Sequence, residues 1–404
     1  MLSKTFMMGV AFSLLAMGTE SNKETMVPAG TFSGVKNPSS LTLFLCGDVM
    51  TGRGIDQILP YSVDSRIYES YVKNAKDYVR LAERVNGPVP RQVSYSYIWG
   101  DALEVWKTVA PDLKIINLET SITTHAEPWP EKVVQYRMHP ENTTLFTTAG
   151  IDFCSLANNH TLDWKRPGLL ETMRSLTKAE ITYAGAGQDK EEASEPALLS
   201  TGKGRVIVLA YGSETSGIPG EWAATVEQSG INLLPDSSEA AVEVIKQQVK
   251  RVKQEGDVVV FTVHWGSNWG YDIPPARQDF ARRLIDEAGV DIIHGHSSHH
   301  PLGIEVYKGR LILYGAGDFI NDYEGIRGHE QYRADLSLMY FPEIDPASGK
   351  LTSMKMVPMQ IRNLRLNYTS PEDREWLRKV LDRESRKFGT GVIQNEDGSF
   401  SLHW

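Results

Sequence analysis

The reading of this chain turns on Val290-Asp291-Ile292-Ile293-His294-Gly295-His296-Ser297-Ser298-His299-His300, which puts four of the ten histidines within seven residues. The apolar run that leads into them reads as a buried strand, so the imidazoles crowd the exit of a sheet. Neutral imidazole is a common ligand for Zn, Mn or Fe, and Gly295 lets the backbone come close to an ion. The plainer reading is a solvated loop that happens to be rich in histidine. The rest of the chain bears on the choice.

Working outward, the same arrangement recurs. Val258-Val259-Val260-Phe261-Thr262-Val263 is the most strand-like run and ends at His264-Trp265-Gly266. Leu41 to Cys46 is almost continuously apolar and breaks at Gly47-Asp48, Leu113 to Leu118 delivers Asn117 and Glu119, and Phe153 to Ala157 ends in Asn158-Asn159-His160. Continuous apolar runs are what strands covered on both faces look like, and ligands of open α/β sheets bind at the carboxyl ends of strands. Helical stretches alternate with these strands, from Asp101 to Val109, Pro167 to Ala179, Asp236 to Gln254 and Pro274 to Ala288. The fold class is therefore α/β. Between Gly303 and Glu343 short, closely spaced strands predict antiparallel pairing. A strand near Met354 to Leu366, a helix begun by Ser370-Pro371 and a turn at Asn395-Glu396-Asp397-Gly398 complete the chain.

Asp48, Glu119, Asn159, His160, His264, His296 and His299 all stand just after strands. A metal centre built on sheet edges requires such a recurrence of oxygen and imidazole ligands. Asp48, Glu119, Asn159, His264, His296 and His299 are the expected ligands of one or two divalent ions (Mn, Fe or Zn), while His294 and His300 are expected to point away. Asp48 and Asn159 thereby belong to the catalytic set together with His160. His160 follows Asn159 and is the candidate general acid, with Asp163 to orient it. Arg53, Lys132 and Arg137 are candidates for binding an anionic substrate, with Asn117 beside them; Lys132 and Arg137 read equally as solvated charge.

Composition narrows the function. The 404 residues are 41% hydrophobic, enough for a full core, and carry a formal net charge of -9. That balance argues against nucleic acid or an anionic membrane surface as the main partner. Cys46 and Cys154 lie inside apolar strands and read as small buried hydrophobes. The tyrosines between residues 55 and 98 mark an insertion, helical from about Ile67 to Val85, whose stripe reads first as a packing face. At the start, Lys4 precedes an apolar run from Phe6 to Gly18 of signal-peptide length, too short to span a membrane. It predicts export from the cytoplasm; an uncleaved tether or a misassigned start codon are the alternatives, and the last would leave the protein cytoplasmic.

The ordered set Gly47-Asp48-Val49-Met50-Thr51-Gly52-Arg53, Asn117-Leu118-Glu119, Ala157-Asn158-Asn159-His160, His264-Trp265-Gly266, Gly295-His296-Ser297-Ser298-His299 and Gly317-Asp318-Phe319 resembles the CapA family of capsule and poly-γ-glutamate synthesis proteins. Its fold is similar to that of the calcineurin-like metallophosphoesterases. The resemblance implies a two-sheet sandwich flanked by helices, a site at one sheet edge, and a role in making or exporting an anionic surface polymer. Against the phosphoesterases themselves the chain departs in three motifs. Met50 stands where Asp-x-His would put a histidine, Asn117-Leu118-Glu119 replaces the bridging-aspartate motif, and Gly-His-x-His is lengthened to Gly295-His296-Ser297-Ser298-His299. Asp318 also stands where relatives of the capsule family usually have Asn.

Two functions remain open at this level. One is a metal-dependent phosphoesterase-type hydrolase in surface-polymer metabolism, acting on an anionic polymer or phosphate ester. The other is a non-catalytic accessory protein that binds polymer or membrane-bound synthase components. The expected organisation is a leader over 1–39, a metallophosphatase-like domain over 40–345 with the insertion 55–98, and an extension over 346–404 packed on the same domain.

Overall fold

A computed structural model describes residues 39–404, so all but the last residue of the expected leader lies outside the described residues. The apolar runs become strands of two large sheets, one of ten strands and one of seven. In the first, Leu41–Val49, Leu113–Leu118, Phe153–Ser155 and Thr182–Ala184 are parallel. Leu336–Asp345 and Lys350–Ile361 continue it on the other side in antiparallel fashion, and the terminal hairpin Gly391–Gln394 and Phe400–His403 joins the same sheet. In the second, Gly204–Ser213, Val258–His264, Ile292–His296 and Arg310–Leu313 are parallel. The fold is mixed α/β.

Side chains alternate along a strand, so each run fills two cores. Leu43, Leu45, Ile115 and Phe153 of the first sheet pack with Val206, Val208, Val258, Val260 and Ile292 of the second, which brings the sheets face to face. On the far side of the first sheet, Phe44, Cys46, Ile116 and Cys154 lie with Trp99 and Trp106 under Ala102–Val109 and Lys165–Lys178. Both cysteines are buried and unpaired. On the far side of the second sheet, Ile207, Val259, Phe261 and Ile293 lie under Glu239–Val252 and Pro275–Ala288. Ser238 and Ser370 cap their helices by accepting from Ala241 N and Asp373 N, as their positions before helical runs predict.

Three local expectations change. The insertion helix is Lys76–Asn86 and not the longer Ile67 to Val85 stretch. Residues 67–75 form a loop, with Ile67 N bonded to Lys73 O and Ala75 N to Ser65 O, which turns Glu69 inward. The tyrosines there divide: Tyr78 is buried, whereas Tyr61, Tyr68 and Tyr71 are exposed. The stretch from Gly303 to Glu343 is not one antiparallel block. Ile304–Tyr307 and Arg310–Leu313 form a hairpin in the second sheet, while Asp318–Ile320 crosses to the first sheet and pairs parallel to Leu41–Val49.

Candidate metal centre

Asp48 is the hub. The ladder between Leu41–Val49 and Leu113–Leu118 shifts register between Leu45 and Asp48, and such an irregularity re-aims the side chain that follows it. Gly47 makes this feasible, because a Cβ there would lie 1.8 Å from Gly317 O. The carboxylate of Asp48 is fully buried; Oδ1 accepts from Asn117 Nδ2 at 2.7 Å and Oδ2 from Ser297 N at 3.2 Å. Ser297 adopts φ 92°, a conformation costly for a residue other than Gly, to deliver that N–H.

The second sheet brings imidazoles to this hub. His264 and His296 end adjacent strands in register, and His264 Nδ1 lies 3.8 Å from Asp48 Oδ1. Asp48, His264 and His296 each offer a ligand atom within 4.8 Å of the others. Glu119 Oε1 stands 3.8 Å from His264 Nε2 and 3.9 Å from His160 Nε2. His299 meets Asp318, with Nδ1 2.9 Å from Oδ1, and the two form a second group with Asp48. Asp48 thus belongs to two groups of ligand atoms, one with His264 and His296 and one with His299 and Asp318. His294 bonds Cys46 O at 2.7 Å across the sheet interface, and His300 accepts from Gly270 N at 3.1 Å, so both are engaged elsewhere.

The residues present fit a divalent cation. Glu119 Oε2, Asn159 Oδ1, His264 Nε2 and His296 Nδ1 are all buried without a hydrogen-bond partner. Each such atom costs about 1–3 kcal/mol when left unsatisfied, so four belonging to the predicted ligand set call for a ligand. Imidazole nitrogens with carboxylate and amide oxygens are the donor set of Zn, Mn and Fe. Electrostatics point the same way. Burial and then the charge of Asp318 push Asp48 up to about 7, and burial followed by Asp48 pushes Glu119 well above the carboxylate range. Burial drives His264 down to about 3 and His296 well below the usual imidazole value, so both are neutral and free to ligate. Burial opposes charge on His299 too, but Asp318 outweighs it and raises that imidazole.

His160 sits beside this cluster. Its Nδ1 is 2.6 Å from Asp163 Oδ2, and its ring stacks on Tyr136 at 3.8 Å between centroids. Asn158 builds the turn that presents Asn159 and His160. It donates to Asn117 Oδ1 and Leu118 O and accepts from His160 N at 3.0 Å. Burial and the nearby charge of Lys132 hold His160 below its ordinary value. Asn159, His160 and His299 line a cleft of about 1040 Å³, together with Lys132, Trp129 and Trp269.

The expected substrate-binding residues fare differently. Lys132 lines the cleft, 3.6 Å from Asp163 Oδ1. Arg53 touches the cleft but is 2% exposed and bonded to Asp322 and Glu69, so its charge is already answered. Arg137 is not among the cleft residues; its guanidinium donates to His125 O and Asp64 O and lies 3.8 Å over the Trp164 ring. Asn117 is fully buried between Asp48 and Asn158 and acts as a spacer that orients the aspartate. Sequence reasoning missed Asn158, Ser297 and Tyr136. An Asn-Asn pair after a strand was the available signal for the first and the place of Ser297 within Gly295-His296-Ser297-Ser298-His299 for the second, while Tyr136 carried none.

Comparison with known proteins bears on the same stretch. The family described as bacterial capsule synthesis protein PGA_cap matches residues 42–323, which include every residue of the cluster. A probable polyglutamine synthesis accessory protein of Mycobacterium tuberculosis is 47% identical over 363 residues, covering 89% of this chain and 95% of that protein. The capsule biosynthesis protein CapA of Bacillus anthracis is 26% identical over 288 residues, 70% of this chain and 60% of its own length. The PGA biosynthesis protein CapA of Bacillus subtilis is 26% identical over 330 residues, 78% of this chain and 75% of its own.

Proposed function

Because the chain belongs to the bacterial capsule synthesis family PGA_cap, we propose that it is a metal-dependent hydrolase of the phosphoesterase type, with a calcineurin-like fold, acting in the synthesis of an anionic surface polymer of the capsule or poly-γ-glutamate kind. The observation that carries this reading is the grouping of Asp48, His264 and His296, with unpartnered ligand atoms on Glu119, Asn159, His264 and His296, beside the His160–Asp163 pair at a cleft. Two facing sheets with ligands at the carboxyl ends of parallel strands support the fold assignment. The apolar run near the start of the chain supports action outside the cytoplasm. Among the described residues no helix is long and apolar enough to cross a membrane.

Asp48, Glu119, Asn159, His264 and His296 would hold the ion, which supplies Lewis-acid activation of water and charge neutralisation at a phosphoryl or carbonyl oxygen. The protein's own part is proton transfer and binding. Asp163 takes the Nδ1–H of His160, so Nε2 is the atom that accepts a proton and returns it to a leaving oxygen. Lys132, on the cleft wall and next to Asp163, brings a positive charge to an anionic substrate. Tyr136 fixes the plane of the His160 ring by stacking.

A second reading is a non-catalytic accessory protein that binds polymer or synthase components in the same cleft. That the mycobacterial relatives are named as accessory proteins of polyglutamine synthesis favours it. One substitution separates the two. In the purified chain reloaded with Mn(II), His160→Asn is expected to keep its metal by elemental analysis and to lower kcat on a generic phosphodiester by about two to four orders of magnitude. A metal-loaded protein with no turnover, together with normal polymer output from a strain carrying His160→Asn, would overturn the hydrolase.

A further inference from the structure

We propose that the paired hydroxyls of Tyr136 and Tyr323 are the anion-holding donor of this cleft, with Tyr323 donating its hydrogen to a negatively charged oxygen of the bound substrate. This rests on the hydrolase reading above, in which Tyr136 serves only to stack and Tyr323 has no part. Tyr136 is tied to the turn that carries His160. Its N–H donates to Asp163 Oδ2 at 2.7 Å, the oxygen that also meets His160 Nδ1, and its carbonyl accepts from Trp164 Nε1 at 3.0 Å. With one carboxylate oxygen shared in this way, the phenol ring lies on the imidazole, 3.8 Å between centroids. Tyr323 arrives from a distant part of the sequence, just beyond Asp318–Ile320. Its N–H donates to Asn321 Oδ1 at 3.0 Å, Asn321 Nδ2 donates to Asp318 Oδ2 at 2.7 Å, and its ring stands edge-on to His299 at 5.3 Å. The two hydroxyl oxygens meet at 2.6 Å, and both side chains line the cleft.

Each hydroxyl carries one hydrogen, so two hydroxyls joined by one hydrogen bond hold one hydrogen between them and leave one over. Among the described residues no protein acceptor meets that second hydrogen. Tyr136 is 3% exposed and Tyr323 half-buried, so Tyr136 spends its hydrogen on the Tyr323 oxygen and Tyr323 turns its own to the cleft. A hydroxyl that accepts a hydrogen bond becomes a better donor, because chained bonds polarise one another. Arg53 adds to this: its guanidinium lies 4.8 Å from the Tyr136 ring centroid and 5.7 Å from that of Tyr323. Burial, as the first cause, nevertheless holds both phenols well above their ordinary value, so each keeps its hydrogen. The pair therefore works by hydrogen bonding, while His160 moves the proton. Hydrogen bonds to charged oxygen are roughly twice as strong as neutral ones, so a preformed donor acts most on an oxygen that gains charge in the transition state.

The test uses the full chain reloaded with Mn(II), with Tyr323→Phe and Tyr136→Phe checked for metal content by elemental analysis and for fold by thermal melting. On a generic phosphodiester, Tyr323→Phe is expected to lower kcat about 100-fold with KM little changed, and Tyr136→Phe, which removes only the support of the donor, about tenfold. Titration calorimetry with orthovanadate and inorganic phosphate gives a second readout. Tyr323→Phe should lose about 100-fold in vanadate affinity and less than about tenfold in phosphate affinity, because vanadate copies the charge of the transition state. Should Tyr323→Phe not fold, Tyr136→Phe carries the test through its loss in vanadate affinity. Unchanged kcat and unchanged vanadate affinity overturn the proposal. Equal losses for both anions, with a lowered melting temperature, show a packing role and overturn it as well. A wild type without turnover overturns the hydrolase reading, and the anion titrations then decide the donor alone: it stands if Tyr323→Phe weakens them and falls if they are unchanged or if the wild type binds neither anion.

Discussion

Replacing Arg53 by Lys decides whether this residue holds the cleft together or binds substrate. Arg53 Nε donates to Asp322 Oδ2 at 3.2 Å and Nη1 to Glu69 Oε1 at 3.0 Å, and Nη2 bonds Asp322 Oδ1. The guanidinium also lies 3.7 Å from the Tyr78 ring centroid and 4.8 Å from that of Tyr136. One cation therefore answers two buried carboxylates, one in the insertion and one just after Asp318–Ile320. Lysine keeps the charge but loses the planar fork and the stacking. A hydrogen bond to a charged group contributes about 1.5–3 kcal/mol and a desolvated cation–π contact up to about 2 kcal/mol. Arg53→Lys should thus cost about 2–4 kcal/mol, and Arg53→Met, which strands both carboxylates, about 3–5 kcal/mol. With a total margin of roughly 5–15 kcal/mol and m values of about 1–3 kcal/mol/M, the urea midpoint of Arg53→Lys should fall by about 1–2 M. Urea unfolding followed by circular dichroism reads this directly. An unchanged midpoint, with KM raised for an anionic substrate and metal content intact, would refute the structural role and restore Arg53 to substrate binding.

Two further substitutions probe the same framework. Ser297 holds φ 92°, so Ser297→Gly should be more stable than Ser297→Ala by about 1 kcal/mol, reversing the usual order of these residues; thermal melts in which Ala is the more stable variant would show that the position carries no strain. Burial pushes the Asp257 carboxyl up, but the fork of Arg205 and the Gln254 N–H outweigh it and hold it below the usual carboxylate range. Its contribution is therefore present above the unfolded pKa near 4 and lost as pH falls through the lower folded value. The gap in denaturation midpoint between wild type and Asp257→Asn should accordingly shrink from pH 6 to pH 3, and a gap independent of pH would contradict the assignment.

The strand ends are legible in the sequence for a physical reason. Strands such as Leu41–Val49 and Val258–His264 are covered on both faces, so they appear as nearly continuous apolar runs, and the polar residues at their ends mark the carboxyl edge. Residues whose meaning depends on distant partners are not legible. Arg53 and Asp322 are 269 positions apart, and nothing local distinguishes a buried Arg53 from a solvated one. Arg137 likewise stands in a polar loop by sequence yet ends over Trp164, because its aliphatic stem and planar head suit an aromatic face. Asp318–Ile320 is too short to carry a periodic signal, and its crossing from the second sheet to the first is decided by two glycines that admit backbone against backbone.

The division of ligands between the two sheets carries a consequence for how the halves of the molecule are joined. The first sheet contributes oxygens only: Asp48 and Asp318 from within its strands, with Glu119 and Asn159 just beyond them. The second contributes nitrogens, from His264 and His296 at its strand ends and His299 three residues on. An ion held by both sets would clamp two sheets that also meet through apolar packing, the His294 bond to Cys46 O and the Ser297 N–H on Asp48. Burial first, and then repulsion among the carboxylates of Asp48, Glu119 and Asp318 at the point where the sheets meet, pushes Asp48 and Glu119 toward their protonated forms. An ion held at this seam would therefore couple its own binding to the packing of the two sheets, with Asp48 as the residue both depend on.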